Sequence, residues 1–239
     1  MTELVINGGN TLTGEIEIGG AKNSVVALMP AAILGTKVTI EKVPNISDVI
    51  NLKEILKYLG VKIIEKKDTF ILDMNNIENK VFDEEKASKL RASYYFMGAF
   101  LAKFGRCEIY HPGGCVIGER PIDIHLEGFK ALGAVVEEYE NKYVISGENL
   151  KGTEINLNFP SVGGTVNIML AATTAKGITK INNVALEPEI DNVIELLNSM
   201  GAKIKREFNS IIIEGVEKLN EGKVRVIPDR IEAGAYIIA

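Results

Sequence analysis

Hydrophobic positions along this chain follow two rhythms that alternate. Three long runs, NSVVALMPAAILG (23–35), LRASYYFMGAFLAKFG (90–105) and GTVNIMLAATTAKG (164–177), are apolar nearly all round, so each predicts a helix buried on every side. Three later runs, SDVINLKEILKYLG, IDIHLEGFKALG and PEIDNVIELLNSMG, carry their apolar residues on one stripe. In the last of these Ile190, Val193, Ile194 and Leu197 recur at helical spacing. Short alternating or apolar stretches follow both kinds of helix, among them Thr39–Val43, RCEIY (106–110) and Ile211–Glu214, and these predict strands.

The order of events repeats: apolar helix, strand, loop, amphipathic helix, two short strands. The glycines that end the apolar helices, Gly35, Gly105 and Gly177, lie 70 and 72 residues apart. The amphipathic helices stop at Gly60, Gly133 and Gly201, where a left-handed cap is expected. Asp48, Asp123 and Asp191 stand at the starts of the same helices, where a carboxylate meets free N–H groups and the positive dipole end. The pattern predicts an α/β fold of three units that enclose their inner helices with an outer layer of sheet.

Two irregularities stand out. The interval between the two glycines of a unit is 25, 28 and 24 residues, so the second unit is longest, and its extra length falls on the loop HPGGCVIGERP. DRIEAGAYIIA (229–239) reads as the start of a fourth apolar helix whose closing glycine, at the same spacing, would fall at about residue 248. The segments ELVING and GEIEIGG have no unit to join. The expected organisation is residues 1–20 as strands of a second domain, 21–229 as a complete three-unit domain, and 230–239 as the beginning of a helix of that second domain. Apolar residues left open at both termini predict fraying or self-association through these edges.

Composition narrows the setting. The chain has 239 residues, 46% of them hydrophobic, with net charge −5, which argues against a general nucleic-acid surface. No run approaches the ~18 apolar residues of a membrane span, and the start MTELVINGG resembles no secretory signal. Two cysteines are too few for a disulfide framework, so a reducing, cytoplasmic compartment is expected.

The candidate chemistry sits in the loops. Cys115 follows Gly113 and Gly114, with Arg120 and Pro121 just beyond. A thiol of pKa about 8.5 beside a guanidinium can donate a proton or attack as a nucleophile, although a surface cysteine without a role fits the spacing equally well. Cys107 lies on a strand and reads as core. Lys22, at the mouth of the first apolar helix, is either an anion-binding cation or a solvated lysine, and Asn23 or Ser24 could cap that helix. Arg91 leads into the second apolar helix and SVGGTVN (161–167) opens the third. The glycines match neither a dinucleotide fingerprint nor a phosphate loop, and His111 and His125 join no metal-ligand spacing, so neither metal nor cofactor is expected.

GEIEIGGAKNS, LRASYYFMG, HPGGCVIGERPIDIHLEGFKALGA, SVGGTVNIMLAA, EPEIDNVIELL and PDRIEAGAYIIA together resemble the UDP-N-acetylglucosamine enolpyruvyl transferase family across essentially the whole chain. The resemblance implies an inside-out α/β barrel of βαβαββ-like units, and a cytoplasmic transferase of peptidoglycan synthesis, hence of cell-wall biogenesis, cell shape and cell division. Its substrates are phosphoenolpyruvate and UDP-N-acetylglucosamine, bound between two domains. On this resemblance Lys22 and Arg120 hold phosphoenolpyruvate, and Asn23 bonds the substrates nearby. Arg91, Arg120, Pro121, Ile122, Asp123, Ile124 and His125 lie along the UDP-sugar, and Ser161, Val162 and Gly163 meet its nucleotide end. Cys115 matches the thiol that donates a proton and reacts with fosfomycin. The lysine that some members carry ahead of the serine-valine-glycine segment is replaced here by Phe159 and Pro160. The aspartate taken as the base for the sugar hydroxyl is expected beyond residue 239, so the chain alone is expected to be inactive or nearly so. An isolated UDP-sugar-binding half without catalysis and an enzyme like the shikimate-pathway enolpyruvyl transferase are the competing readings.

Overall fold

The computed structural model describes residues 3, 5–9, 11, 13–81, 94–110 and 122–239. The first unit contains α1 (Lys22–Ala32), β1 (Lys37–Glu41), α2 (Ser47–Tyr58), β2 (Lys62–Lys66) and β3 (Thr69–Asp73). The second contains α3 (Tyr95–Phe104), β4 (Arg106–Tyr110), α4 (Asp123–Ala131), β5 (Val135–Glu138) and β6 (Lys142–Ser146), followed by β7 (Glu154–Asn156). The third contains α5 (Val162–Ala172), β8 (Ile178–Asn182), α6 (Pro188–Ser199), β9 (Lys203–Glu207) and β10 (Ser210–Glu214), followed by β11 (Gly222–Arg225) and α7 (Arg230–Ile238).

Each unit builds an antiparallel sheet in the order first, third, second strand: β1-β3-β2, β4-β6-β5 and β8-β10-β9. Two further strands are passed between units. β7 leaves the second unit and pairs in parallel with β8, Glu154 opposite Lys180. β11 leaves the third unit and pairs in parallel with β1, Val38 opposite Gly222, which closes the ring on its own beginning. Cys107, read as core, is 2% exposed on β4, and burial pushes its thiol up to about 12.

The amphipathic helices end alike. Gly60, Gly133 and Gly201 have φ of +92°, +92° and +101°. In each case the glycine N–H donates to the carbonyl three residues back, and the next N–H donates to the carbonyl five back: Val61 to Leu56, Ala134 to Phe129, Ala202 to Leu197. That is the Schellman closure, in which a left-handed glycine satisfies carbonyls left free at the helix end.

The apolar helices sit inside. Ser24–Ala32 of α1, Phe96–Leu101 of α3 and Gly164–Ala172 of α5 are buried without interruption. Each buried Leu, Ile or Phe removes enough surface from water to contribute roughly 1.5–3 kcal/mol. α3 and α5 pack most closely at Gly98, where a Cβ would fall inside the carbonyl oxygen of Asn167. Small size at that crossing, not backbone freedom, is what the glycine supplies.

The closing strand also brings the two ends of the ring together. The Ala21 N–H donates to the Ile227 carbonyl at 2.8 Å and the Asp229 N–H to the Gly19 carbonyl at 2.9 Å. Beyond this crossing α7 buries none of its residues, and Ile237 and Ile238 are 85% and 88% exposed. Val5, Ile6 and Ile16 are exposed as well.

Gly98→Ala should cost about 1–3 kcal/mol or more, because the intruding methyl meets backbone instead of a movable side chain. Gly234→Ala on α7 meets nothing within 4 Å and should cost nothing. Urea unfolding of both variants measures the contrast.

Candidate functional site

Helix beginnings from all three units converge on one face of the ring. Asn23 stands in the first turn of α1, Tyr94 and Tyr95 at the start of α3, Ile122 and His125 at the start of α4, and Ser161, Val162 and Gly163 at the start of α5. With Glu187, Glu189 and Arg230 they line a cavity of about 540 Å³. Helix N-termini carry positive partial charge and unpaired N–H groups, so a cavity made of several favours anionic oxygens. A second, more open cavity of about 910 Å³ lies beside the crossing of Gly19–Ala21 with Ile227–Asp229 and includes Lys22, Lys42, Arg225 and Asp229.

Each beginning is held differently. Ser161 caps α5, its Oγ accepting from the Gly164 N–H at 3.1 Å. Neither Asn23 nor Ser24 caps α1, contrary to the expectation from sequence, because the helix starts earlier, at Lys22, with Ala21 at the cap position. The Asp229 carboxylate does the capping instead. Its Oδ2 accepts from the Lys22 N–H at 3.1 Å, while Oδ1 accepts from the Ile231 and Glu232 N–H groups of α7 at 2.8 and 3.2 Å. Burial alone would raise this carboxyl, but the three N–H donors and Arg230 outweigh it and hold the pKa below the usual value. Ser24 turns inward and donates to Asn192 Oδ1 at 2.5 Å. Asp48, Asp123 and Asp191 do stand in the first turns of their helices, while the residues at the cap positions, Ile46, Ile122 and Glu187, make no side-chain capping bond.

The side chains in the cavity are unlike those of an open surface. His125 is 8% exposed, and its Nδ1 lies 2.9 Å from Asn167 Nδ2. Burial pulls its pKa down to about 4. Above it the Tyr94 ring sits 6.4 Å away, centroid to centroid. Among the described residues the buried Tyr94 hydroxyl has no hydrogen-bond partner, and burial, with a smaller push from Tyr143, raises it to about 12. Glu189 is 4% exposed and receives the Arg230 Nε–H at 3.2 Å.

Of the residues expected at a site, Asn23, Ile122, His125, Ser161, Val162 and Gly163 come together in the smaller cavity. Lys22 does not: its Nζ pairs with Asp48 at 3.0 Å and it lines the neighbouring cavity. Asp123 is exposed on the first turn of α4, and Ile124 packs its Cγ2 over Gly164. Arg91, Cys115, Arg120 and Pro121 lie outside the described residues. Sequence reading passed over Tyr94, Asn167, Glu189 and Arg230. A lone amide inside the apolar run GTVNIMLAA was the available signal for Asn167.

With this geometry in place, the chain's family is plain. Residues 6–239 match the profile of EPSP synthase (3-phosphoshikimate 1-carboxyvinyltransferase), and the chain belongs to that family. Among curated relatives it is 46% identical over 242 residues to UDP-N-acetylglucosamine 1-carboxyvinyltransferase 2 of Clostridium acetobutylicum, covering 100% of this chain and 58% of that protein. It is 48% identical over 241 residues to the protein of the same name from Bacillus subtilis, covering 100% of this chain and 56% of the relative. The chain thus spans a little over half the length of these relatives. Among solved structures, the enolpyruvyl transferase NikO from Streptomyces tendae shares the fold with a TM-score of 0.85 at 22% identity, over 97% of this chain and 56% of the other. An EPSP synthase from Acinetobacter baumannii gives 0.73 at 21% identity, over 94% and 52%. The expected α/β enolpyruvyl transferase-like fold is therefore the observed one. Among the described residues no helix is long and apolar enough to cross a membrane.

The lowered pKa of His125 has a stability consequence. As pH falls below about 6.5 the unfolded chain binds a proton that the folded ring refuses until about pH 4, so stability must fall through that window and level off beneath it. This one group should remove about 2 kcal/mol between about pH 7 and pH 5. Urea titrations at both pH values should show His125→Gln losing less stability than the wild type by that amount.

Proposed function

We propose that this chain supplies the nucleotide-binding wall and the thiol of a transferase that moves the enolpyruvyl group of phosphoenolpyruvate to the 3-hydroxyl of UDP-N-acetylglucosamine, releasing phosphate. The observation that carries this reading is the meeting of Asn23, His125 and the Ser161–Gly163 helix start in one cavity. Its volume suits a small ligand, and several helix N-termini favour a diphosphate. The names of the relatives supply the substrate class.

In this reading the UDP group lies on the start of α5 beside His125. The sugar extends toward Asn23, and phosphoenolpyruvate lies near Lys22 and Arg120. Freed from Asp48, the Lys22 ammonium would balance the phosphate and carboxylate charges. Cys115 delivers a proton to C3 of phosphoenolpyruvate as the sugar oxygen bonds C2. Loss of a C3 proton and of phosphate then restores the double bond. With Lys22 and Arg120 as its neighbours, as the resemblance implies, Cys115 would favour thiolate, and bound anionic substrate would restore the thiol that donation requires. The exposed apolar residues of the N-terminal segment and of α7 belong, on the same reading, to a second domain that forms the other wall. The loop HPGGCVIGERP favours the UDP-sugar over shikimate phosphate as acceptor. The compartment is the cytoplasm, and fosfomycin is a ligand of Cys115.

Half a cleft can bind but cannot exclude water or align both reactants. Calorimetry should detect weak binding of UDP-N-acetylglucosamine to this chain, while mixing both substrates should release no phosphate above background. Gly163→Val should abolish the binding, because even a Cβ at that position would stand 3.1 Å from His125 Cε1. Absence of binding by the wild type would overturn the placement of the nucleotide.

A further inference from the structure

Asn167 is a fully buried amide in the middle of the otherwise apolar α5. Its neighbours tell its two ends apart. The Gly98 N–H can only donate, so the atom 2.8 Å from it must be the carbonyl oxygen Oδ1. Nδ2 then faces both the Gly163 carbonyl at 3.3 Å and His125 Nδ1 at 2.9 Å, with two hydrogens to give. A ring nitrogen that receives an N–H needs its lone pair. Nδ1 is therefore unprotonated, and a neutral ring carries its single proton on Nε2.

The free end of this relay lies at the cavity. Nε2 has no hydrogen-bond partner among the described residues. It rests against Gly163, where a Cβ would stand 3.3 Å from it. Gly163 and Val162 form the first turn of α5, where N–H groups precede the first intrahelical bond. A ligand oxygen docked on this turn would meet the Nε2 edge of the ring. Gly98 matters to the arrangement too, since only its missing Cβ lets Asn167 come close enough to be oriented by its N–H.

We propose that Asn167 is a positioning residue that fixes His125 as the Nε2–H tautomer, so that the cavity offers a neutral, directed donor to an acceptor oxygen of the UDP group. The proposal rests on the reading that this cavity takes the nucleotide end. It adds a discriminating element to that site. A charged imidazolium would attract any anion regardless of orientation, whereas a neutral N–H held at one angle rewards an acceptor at one place and penalises a donor there. Burial keeps the ring uncharged near neutral pH, in line with its lowered pKa.

Nitrogen-15 spectra of histidine-labelled chain read the tautomer directly. His111 and His125 are the two histidines, and His125→Gln assigns the signals. The expected wild-type pattern for His125 is an unprotonated Nδ1 and a protonated Nε2. In Asn167→Asp one carboxylate oxygen keeps the Gly98 bond and the other faces Nδ1, so the proton should move to Nδ1. Affinity for UDP, measured by calorimetry, should then fall about tenfold or more with the lost donor. Should the added buried charge prevent folding, Asn167→Leu has similar volume, removes the donor to Nδ1 and should mix the two tautomers while weakening UDP. An Nδ1–H ring in a wild type that still binds UDP overturns the relay alone, as does a variant whose tautomer shifts at unchanged affinity. The expected tautomer with no UDP binding at all overturns the nucleotide reading and with it the ligand part of the proposal.

Discussion

Three helices that are apolar on every side must all be kept from water, and the remaining features of this fold follow from that constraint. One sheet can cover one face of a helix, so enclosing three takes a ring of sheets with the helices inside. The amphipathic helices α2, α4 and α6 fill the gaps, each burying one stripe. A ring needs closure, and the parallel strands β7 and β11 supply it by crossing from one unit into the sheet of the next. The same arrangement turns helix N-termini toward one face. Binding potential is therefore a by-product of the packing: the cavity lies where the positive ends of the helices must emerge.

Two buried amides inside this core pair between units. Asn192 of α6 accepts from Ser24 of α1, donates to the Arg225 carbonyl at 3.0 Å and accepts from the Ile227 N–H at 3.3 Å. Asn167 of α5 plays the corresponding part between α3 and α4. Leaving one such group unpaired would cost about 1–3 kcal/mol, so each amide penalises packings in which the units slip past one another. Hydrophobic burial makes the ring compact, and the two amides set its register. One of them sets the chemistry of the cavity as well.

What the sequence disclosed follows a physical division. Local periodicity and glycine stops made the units legible, since Gly60, Gly133 and Gly201 close their helices by the same local hydrogen bonds. β7 and β11 were not legible. They are 3 and 4 residues long, and what makes them strands is a parallel neighbour in another unit. The cap of α1 failed for a similar reason. Asn23 and Ser24 have the right chemistry, but the helix already begins ahead of them at Lys22, whose N–H is held by Asp229, 207 residues away. SVGG pointed correctly to the start of α5. The state of His125 could not be read, because it depends on an N–H of α3 brought close by the absence of a side chain at Gly98. Local signals are written in the sequence, whereas signals carried by contact between units appear only once the ring is closed.

Asp229 shows how that closure reaches the cavity. One carboxylate holds the first turn of α1 and the first turn of α7, while the Gly19 N–H donates to Glu232 Oε2 at 2.9 Å and Arg230 reaches back to Glu189 on α6. Three of these contacts join α7 or its cap to residues at or beside the cavity. α7 therefore cannot swing freely about the crossing of Gly19–Ala21 with Ile227–Asp229. A change in the direction of α7 would have to break the shared cap or carry the α1 N-terminus, and with it Lys22 and Asn23, along. Because the carboxylate neutralises N–H groups on both sides, breaking the cap would strand donors of two helices at once. Moving the two helix starts together is the less costly path, so the geometry couples the direction of α7 to Lys22 and Asn23 at the start of α1.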